Sequence, residues 1–366
     1  MLLHISTSLP PYKVVQTKAA AELKKRMAPH PAIGRLIDTA ASHSGIESRY
    51  VVIPDAEDSA LNKFYSQPTG YVQPDTKTRM TEYEKWSKHL SEIAVKDLLE
   101  VTGFDPALIK RLITISCTGF FAPGLDYHLM KTFGIPCNAK RTNIGFMGCA
   151  ASIIGFSSVL ETINSAGYDS PGGILLLSVE LCSLHLQTQP TRDNIMSNII
   201  FADGCAAALF TSGTQNAQIK PPLQLLSTHS LLFDDSADFM GWKIGNSGFE
   251  MILSPELPKI IFSQAVPALK DILRKLNLTK DSIRSWALHP GGRAILDALQ
   301  SGLSLSDEQM QPSRAILRNH GNMSSASILF VMKEILDSCP VQKDDLLCAV
   351  AFGPGLTMEV ALLKGI

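Results

Sequence analysis

The 366-residue chain is 45 % apolar, 18 % charged and only 7 % aromatic, which is long enough for two packed units or one large layered domain and too apolar for a disordered or linker-dominated protein. Its 33 basic and 34 acidic residues leave a net charge of −1, so no basic field draws it to nucleic acid or to anionic lipid. Seven cysteines, at 117, 137, 149, 182, 205, 339 and 348, lie in apolar runs and are odd in number, a pattern that fits free thiols in a reducing, cytoplasmic compartment.

In chain order, Met1 to Pro11 has no basic region ahead of a hydrophobic stretch and predicts no signal peptide. Charge and proline concentrate in the first hundred residues, where Tyr71 to His89 reads as a polar loop entering a surface helix; this region is expected to be an elaboration outside the core. Leu112–Cys117, Gly173–Val179 and Ala206–Thr211 are short apolar runs ended by Gly, Ser or Glu, with helical stretches between them. Runs apolar on both faces fit strands of a sheet covered on both sides, and the alternation predicts the α/β class. Thr142 to Leu160 is uncharged, but Asn143, Ser152, Ser157, Ser158 and three glycines make it a core helix rather than a membrane span.

Comparing the chain with itself suggests a duplication. Ile115–Gly119 closes a strand, and 32 residues after Cys117 the pair Gly148-Cys149 opens an apolar helix. Ala287–Gly291 closes a strand, and 33 residues after His289 residue Asn322 opens another. One unit used twice, as 1–215 and 216–366, would relate the helix starts by a pseudo-two-fold axis and bring Cys149 and Asn322 to one pocket beside His289. The alternative is a chance similarity of small-residue helix starts.

A thiol at a helix start sits where free N–H groups and the helix dipole favour a thiolate, so Cys149 is either a nucleophile or one of seven small buried hydrophobes. His289, where an apolar strand meets Pro-Gly-Gly, can pair with a thiol, donate to an oxyanion, or be structural. Asn322 does not titrate and can serve as a fixed N–H donor or as a helix cap. Together the three suggest acyl transfer through a thioester. No Cys-x-x-Cys pair points to a metal, and no phosphate loop or Gly-x-Gly-x-x-Gly is present.

The segments SCTGFFAPGLD (116–126), GCAAS (148–152), FADGCAA (201–207), HPGGRAILD (289–297), GNMSSASILF (321–330) and FGPGLTMEVALL (352–363) resemble the type III polyketide synthases, the chalcone synthase superfamily, in a form like its bacterial members. The likeness is strong from about residue 110 onward and weaker before it. It implies a homodimer of thiolase-like subunits, a duplicated αβαβα core in five layers. It further implies that Cys149 takes an acyl starter from coenzyme A, that His289 pairs with the thiolate, and that His289 and Asn322 hold the malonyl-CoA carbonyl through decarboxylative condensation and cyclisation. No cofactor beyond the coenzyme A thioester substrates is implied, and no metal.

By the same likeness Phe201 is the gate between the coenzyme A tunnel and the cavity, Met251 replaces a second aromatic gate, and Trp242 fills space that plant enzymes leave to a glycine. Cys117, Glu180, Cys182 and Ser324 fall on cavity-lining positions, and Gly353, Pro354 and Gly355 form the loop shaping the cyclisation cavity. The basic positions that meet the coenzyme A phosphates in plant enzymes land on Leu36, Thr39 and His43, leaving Arg35 and Arg49 as candidates. The starter is left open, with a fatty acyl group and alkylpyrones or alkylresorcinols favoured. The nearest rival is a ketoacyl-ACP synthase III making a single condensation, and a rival of another class is an inert binding or scaffold relative.

Overall fold

The computed structural model describes residues 1–27, 30–53, 64–67, 70–165, 172–212, 222–338 and 341–366; the expected boundary at 215/216 and Cys339 lie outside them. Nine strands make one continuous sheet: β1 (Leu2–Ser8), β2 (Ile109–Ser116), β3 (Lys140–Gly145), β4 (Gly173–Leu181), β5 (Asp203–Thr211), β6 (Leu223–Leu232), β7 (Ile283–Leu288), β8 (Leu346–Gly353) and β9 (Thr357–Gly365). Their order is β7-β8-β9-β6-β1-β5-β4-β2-β3. Read outward from the joint, where Leu2 pairs with Leu223, β1-β5-β4-β2 and β6-β9-β8-β7 repeat one topology. In each half the outermost of these pairs, β2/β4 or β7/β8, is parallel and the others are antiparallel. The duplication is therefore real, with β3 added to the first half.

Two helices, α2 (Ala151–Asn164) and α3 (Ser327–Ser338), lie between the half-sheets. Helix α2 touches β2, β3 and β4 on one side and β6, β8 and β9 on the other, while α3 touches β1 and β5 as well as β7 and β8. That burial is why α2 and the first half of α3 are apolar nearly all round, with Lys333, Glu334 and Asp337 emerging only toward the end of α3. Alternation along β8 serves two cores: Leu347, Ala349 and Ala351 meet the central helices, and Cys348, Val350 and Phe352 meet the helices outside. The result is helix, sheet, helix, sheet, helix.

Two expectations need correction. The first hundred residues are not an elaboration: β1 stands mid-sheet, and helix α1 (Thr76–Thr102) buries Tyr83, Leu90, Ala94, Val95 and Leu98 as the outer layer over β1, β4 and β5. The charged face of α1 dominates its composition and hides the apolar stripe. The uncharged stretch 142–160 is not one helix, because Phe146 (φ 58°) and Gly148 (φ 60°) turn the chain between β3 and α2.

The structural equivalents also shift. Each central helix is entered by a 3₁₀ turn, Gly148–Ala150 or Ser324–Ala326, whose first residue has positive φ. The counterpart of Cys149 is therefore Ser325, and Asn322 lies three residues before it.

Candidate active site

A cavity of about 400 Å³ runs from an open end down to Cys149, His289 and Asn322, each less than a tenth exposed. The Cys149 thiol stands 3.9 Å from Asn322 Oδ1 and 3.8 Å from Ser324 Oγ. Asn322 Oδ1 accepts from the Ser324 N–H (2.8 Å), and its Nδ2 donates to Gly291 O (3.2 Å), in the turn that Gly291 N closes onto His289 O. The Asn322 amide thus ties the histidine turn to the cysteine, and its second Nδ2 hydrogen remains for a ligand. The Asn322 backbone is itself fixed, donating to Ile200 O and accepting from Ala202 N.

His289 follows β7 and donates its backbone N–H to Val350 O on β8. Neither of its ring nitrogens has a partner among the described residues, although both are buried. A buried imidazole with both nitrogens open is costly unless a ligand or proton transfer uses them. Burial pushes the Cys149 thiol up to about 12 and the His289 imidazole down to about 3. Both shifts favour the neutral forms, so thiol and imidazole are uncharged near neutral pH.

Phe201, Met251, Trp242, Cys117, Cys182, Ser324 and Pro354 line the cavity. Trp242 and Met251 are cross-strand neighbours in the hairpin 240–253, and the Trp242 indole N–H donates to Cys117 O (2.6 Å). Phe201, Cys182, Trp242 and Met251 also face a second cavity of about 100 Å³.

Five expected positions lie elsewhere than in the wall of the cavity that holds Cys149. Glu180 is not in the wall but behind it: fully buried, it accepts from Cys117 N (3.0 Å), Thr118 Oγ1 (2.8 Å) and Ser325 Oγ, and burial raises its carboxyl to about 7. Gly353 and Gly355 are also behind the wall. A Cβ on Gly353 would meet Met147 O at 2.7 Å, and Gly355 has φ +112°, so they let the loop close onto the cysteine turn while Pro354 alone faces the cavity. Arg49 is absent from this cavity's lining and borders the second one: it is 6 % exposed and donates to Asn198 O (2.8 Å), Phe201 O and Gln16 Oε1 (3.1 Å). Arg35 is exposed and outside the cavity lining. Sequence reading missed Thr118, Ser325 and His185, which surround Glu180 and Trp242; matching the two 3₁₀ turns would have found Ser325. His185 takes the Phe249 N–H at Nδ1 (2.9 Å), so Nε2 carries the proton given to Thr118 O (2.7 Å). Among the described residues no group of three His, Cys, Asp or Glu side chains could hold a metal.

Residues 32–230 match the family described as FAE1/Type III polyketide synthase-like protein, and residues 224–366 match the C-terminal domain of chalcone and stilbene synthases. The chain belongs to the type III polyketide synthase family. Similar relatives include Polyketide synthase 37 of Dictyostelium discoideum, 30 % identical over 100 % of this chain, which spans 12 % of that much longer protein. Another is the 1,3,6,8-tetrahydroxynaphthalene synthase of Streptomyces peucetius subsp. caesius, 28 % identical over 98 % of this chain and 92 % of that one. The crystal structure of PKS-I from the brown alga Ectocarpus siliculosus superposes with a TM-score of 0.90 at 30 % identity, covering 100 % of this chain and 98 % of that one. The five layers are the thiolase-like fold of this type III polyketide synthase family, whose members are condensing acyltransferases.

Proposed function

We propose that the enzyme loads an acyl group from coenzyme A onto Cys149, extends it with malonyl-CoA and cyclises the poly-β-keto chain. The observation that carries this reading is His289, buried with both nitrogens open in the cavity that holds Cys149 and the anchored Asn322. Cys149 gives its proton to His289 as sulfur attacks the starter carbonyl; the tetrahedral intermediate collapses, and the coenzyme A thiolate leaves with that proton. Malonyl-CoA then loses carbon dioxide, the electron pair of the broken C–C bond becoming an enolate, so no base is required. The free Nδ2 hydrogen of Asn322 and an N–H of His289 stabilise the enolate oxygen. The enolate carbon attacks the Cys149 thioester and expels the thiolate, leaving a chain two carbons longer.

The starter is a fatty acyl group and the product an alkylpyrone or alkylresorcinol. Support comes from the shared wall: Cys182, Phe201, Trp242 and Met251 face both cavities, and a flexible Met251 is the kind of side chain that lets a narrow alkyl chain pass. Neither half works alone, because Cys149 precedes the boundary at 215/216 and His289 and Asn322 follow it. The active form is a homodimer, supported by exposed Phe120, Phe146 and Met147 beside the edge strand β3. The enzyme acts in the cytoplasm, a reading supported by the six cysteines among the described residues, all of them free.

Incubation of purified protein with a panel of acyl-CoAs and labelled malonyl-CoA, read by mass spectrometry, tests the reading. Pyrones or resorcinols from long-chain starters are expected, and Cys149→Ala should abolish them while some malonyl-CoA decarboxylation persists. A normal product from that variant, or turnover only with acyl carrier protein, would overturn it. Sedimentation of the intact protein tests the dimer.

A further inference from the structure

The closed end of the catalytic cavity is apolar or uncharged, whereas its open end is formed by three helices, together with exposed Pro255 after the hairpin 240–253. Helix Pro31–His43 supplies Leu36, Thr39 and His43, helix Arg192–Ile200 supplies Arg192, and helix Arg293–Leu303 supplies Arg293. Arg192 and Arg293 are the only arginines, and no lysine is found, among the described residues lining this cavity. The positions that carry basic residues in plant relatives are here an aliphatic, a hydroxyl and an imidazole side chain on one helix, while the cations stand on the two other helices.

We propose that Arg192 and Arg293 hold the phosphate groups of the coenzyme A carrier, taking over from the helix that bears Leu36, Thr39 and His43. This rests on the thioester reading above. Arg293 is four residues beyond His289, so its Cα is at most about 14 Å from that of the catalytic imidazole. Its stem lies over Gly45, where a Cβ would stand 3.4 Å from Arg293 Cβ, so the side chain crosses from its own helix to the end of helix Pro31–His43. Its ion-pair partner among the described residues, Asp297, is 3.6 Å from Nε and is also bound by Arg314 at 2.7 Å. The two terminal guanidinium nitrogens of Arg293 have no hydrogen-bond or ion-pair partner among the described residues and are free to serve a role outside the helix. Arg192 spends Nη1 on Leu253 O (3.3 Å), with Asp193 at 4.0 Å, and has Nη2 to offer. Two planar guanidinium groups at the rim of a tunnel match bidentate recognition of phosphate.

The test compares kcat/KM of the intact protein on coenzyme A thioesters and on the corresponding pantetheine thioesters, which lack the nucleotide phosphates. Arg293→Ala and Arg192→Ala should each lose about tenfold more on the coenzyme A thioester than on the pantetheine thioester, and the double variant more. Arg293→Lys should recover part of the loss, and added salt should shrink the wild-type preference for the coenzyme A form. Both arginines are exposed, so folding is checked by circular dichroism. Equal losses on both thioesters, or no loss in the double variant, would overturn the assignment. Wild-type protein inactive on both would instead sink the thioester reading beneath it.

Discussion

Gly148 and Pro354 touch so closely that a Cβ on Gly148 would stand 2.4 Å from Pro354 Cδ. The contact joins the turn that presents Cys149 in the first half to the end of β8 in the second, and Gly148 also has φ +60°. Gly148→Ala therefore meets both a clash and backbone strain. It should cost about 1–3 kcal/mol of stability and lower condensation more than tenfold. Combining it with Pro354→Gly should recover the part due to the clash; thermal unfolding and turnover of the single and double variants measure the two parts separately.

The proposed proton transfer from Cys149 to His289 predicts a distinctive alkylation profile. Neither group titrates separately near neutrality, because burial holds the thiol near 12 and the imidazole near 3. Iodoacetamide labelling of Cys149, followed by peptide mass spectrometry, should be nearly flat from pH 6 to about 8.5 in the wild type. In His289→Ala, where only solvent can take the proton, the rate should fall and then rise about tenfold per pH unit. A wild-type rate that climbs in the same way would show that the imidazole takes no proton.

Glu180 has a stability signature with a definite sign. Burial raises its carboxyl from 4.5 to about 7, so across this interval the native state holds a proton that the unfolded chain has released. Its contribution is greatest below pH 4.5 and declines as pH rises through 7, by about 3 kcal/mol at most. Glu180→Gln should lack this slope. Chemical denaturation at pH 5 and at pH 8 would measure it, with the variant gaining relative to wild type at the higher pH.

Trp242 stands in the wall between the two cavities, and its indole N–H fixes the Cys117 carbonyl. Trp242→Ala should join the cavities and shift the products toward longer chains. Trp242→Phe keeps most of the ring but loses the donor, so it should broaden the product range with less lengthening. Liquid chromatography with mass spectrometry of both product mixtures distinguishes opening of the wall from loosening of Cys117.

The amino-acid sequence alone carried the α/β class, the duplication and the three residues at the end of the cavity. Each of these writes a local signal: apolar runs closed by Gly or Pro, small residues at a helix entrance, and a histidine against Pro-Gly-Gly. Local patterns did not reveal that β1 occupies the middle of the sheet, because its partners, β5 and β6, are some two hundred residues away. Nor did they separate Arg49 from Arg293. The first looks like a free surface cation until the fold surrounds it with the carbonyls of Asn198 and Phe201, and the second acquires its place only when three helices distant in sequence meet at one opening. The sequence determined which chemistry the chain can present. Tertiary packing decided which charged groups are consumed in holding the site and which remain at its rim, because desolvation and carbonyl contacts are properties of the assembled neighbourhood.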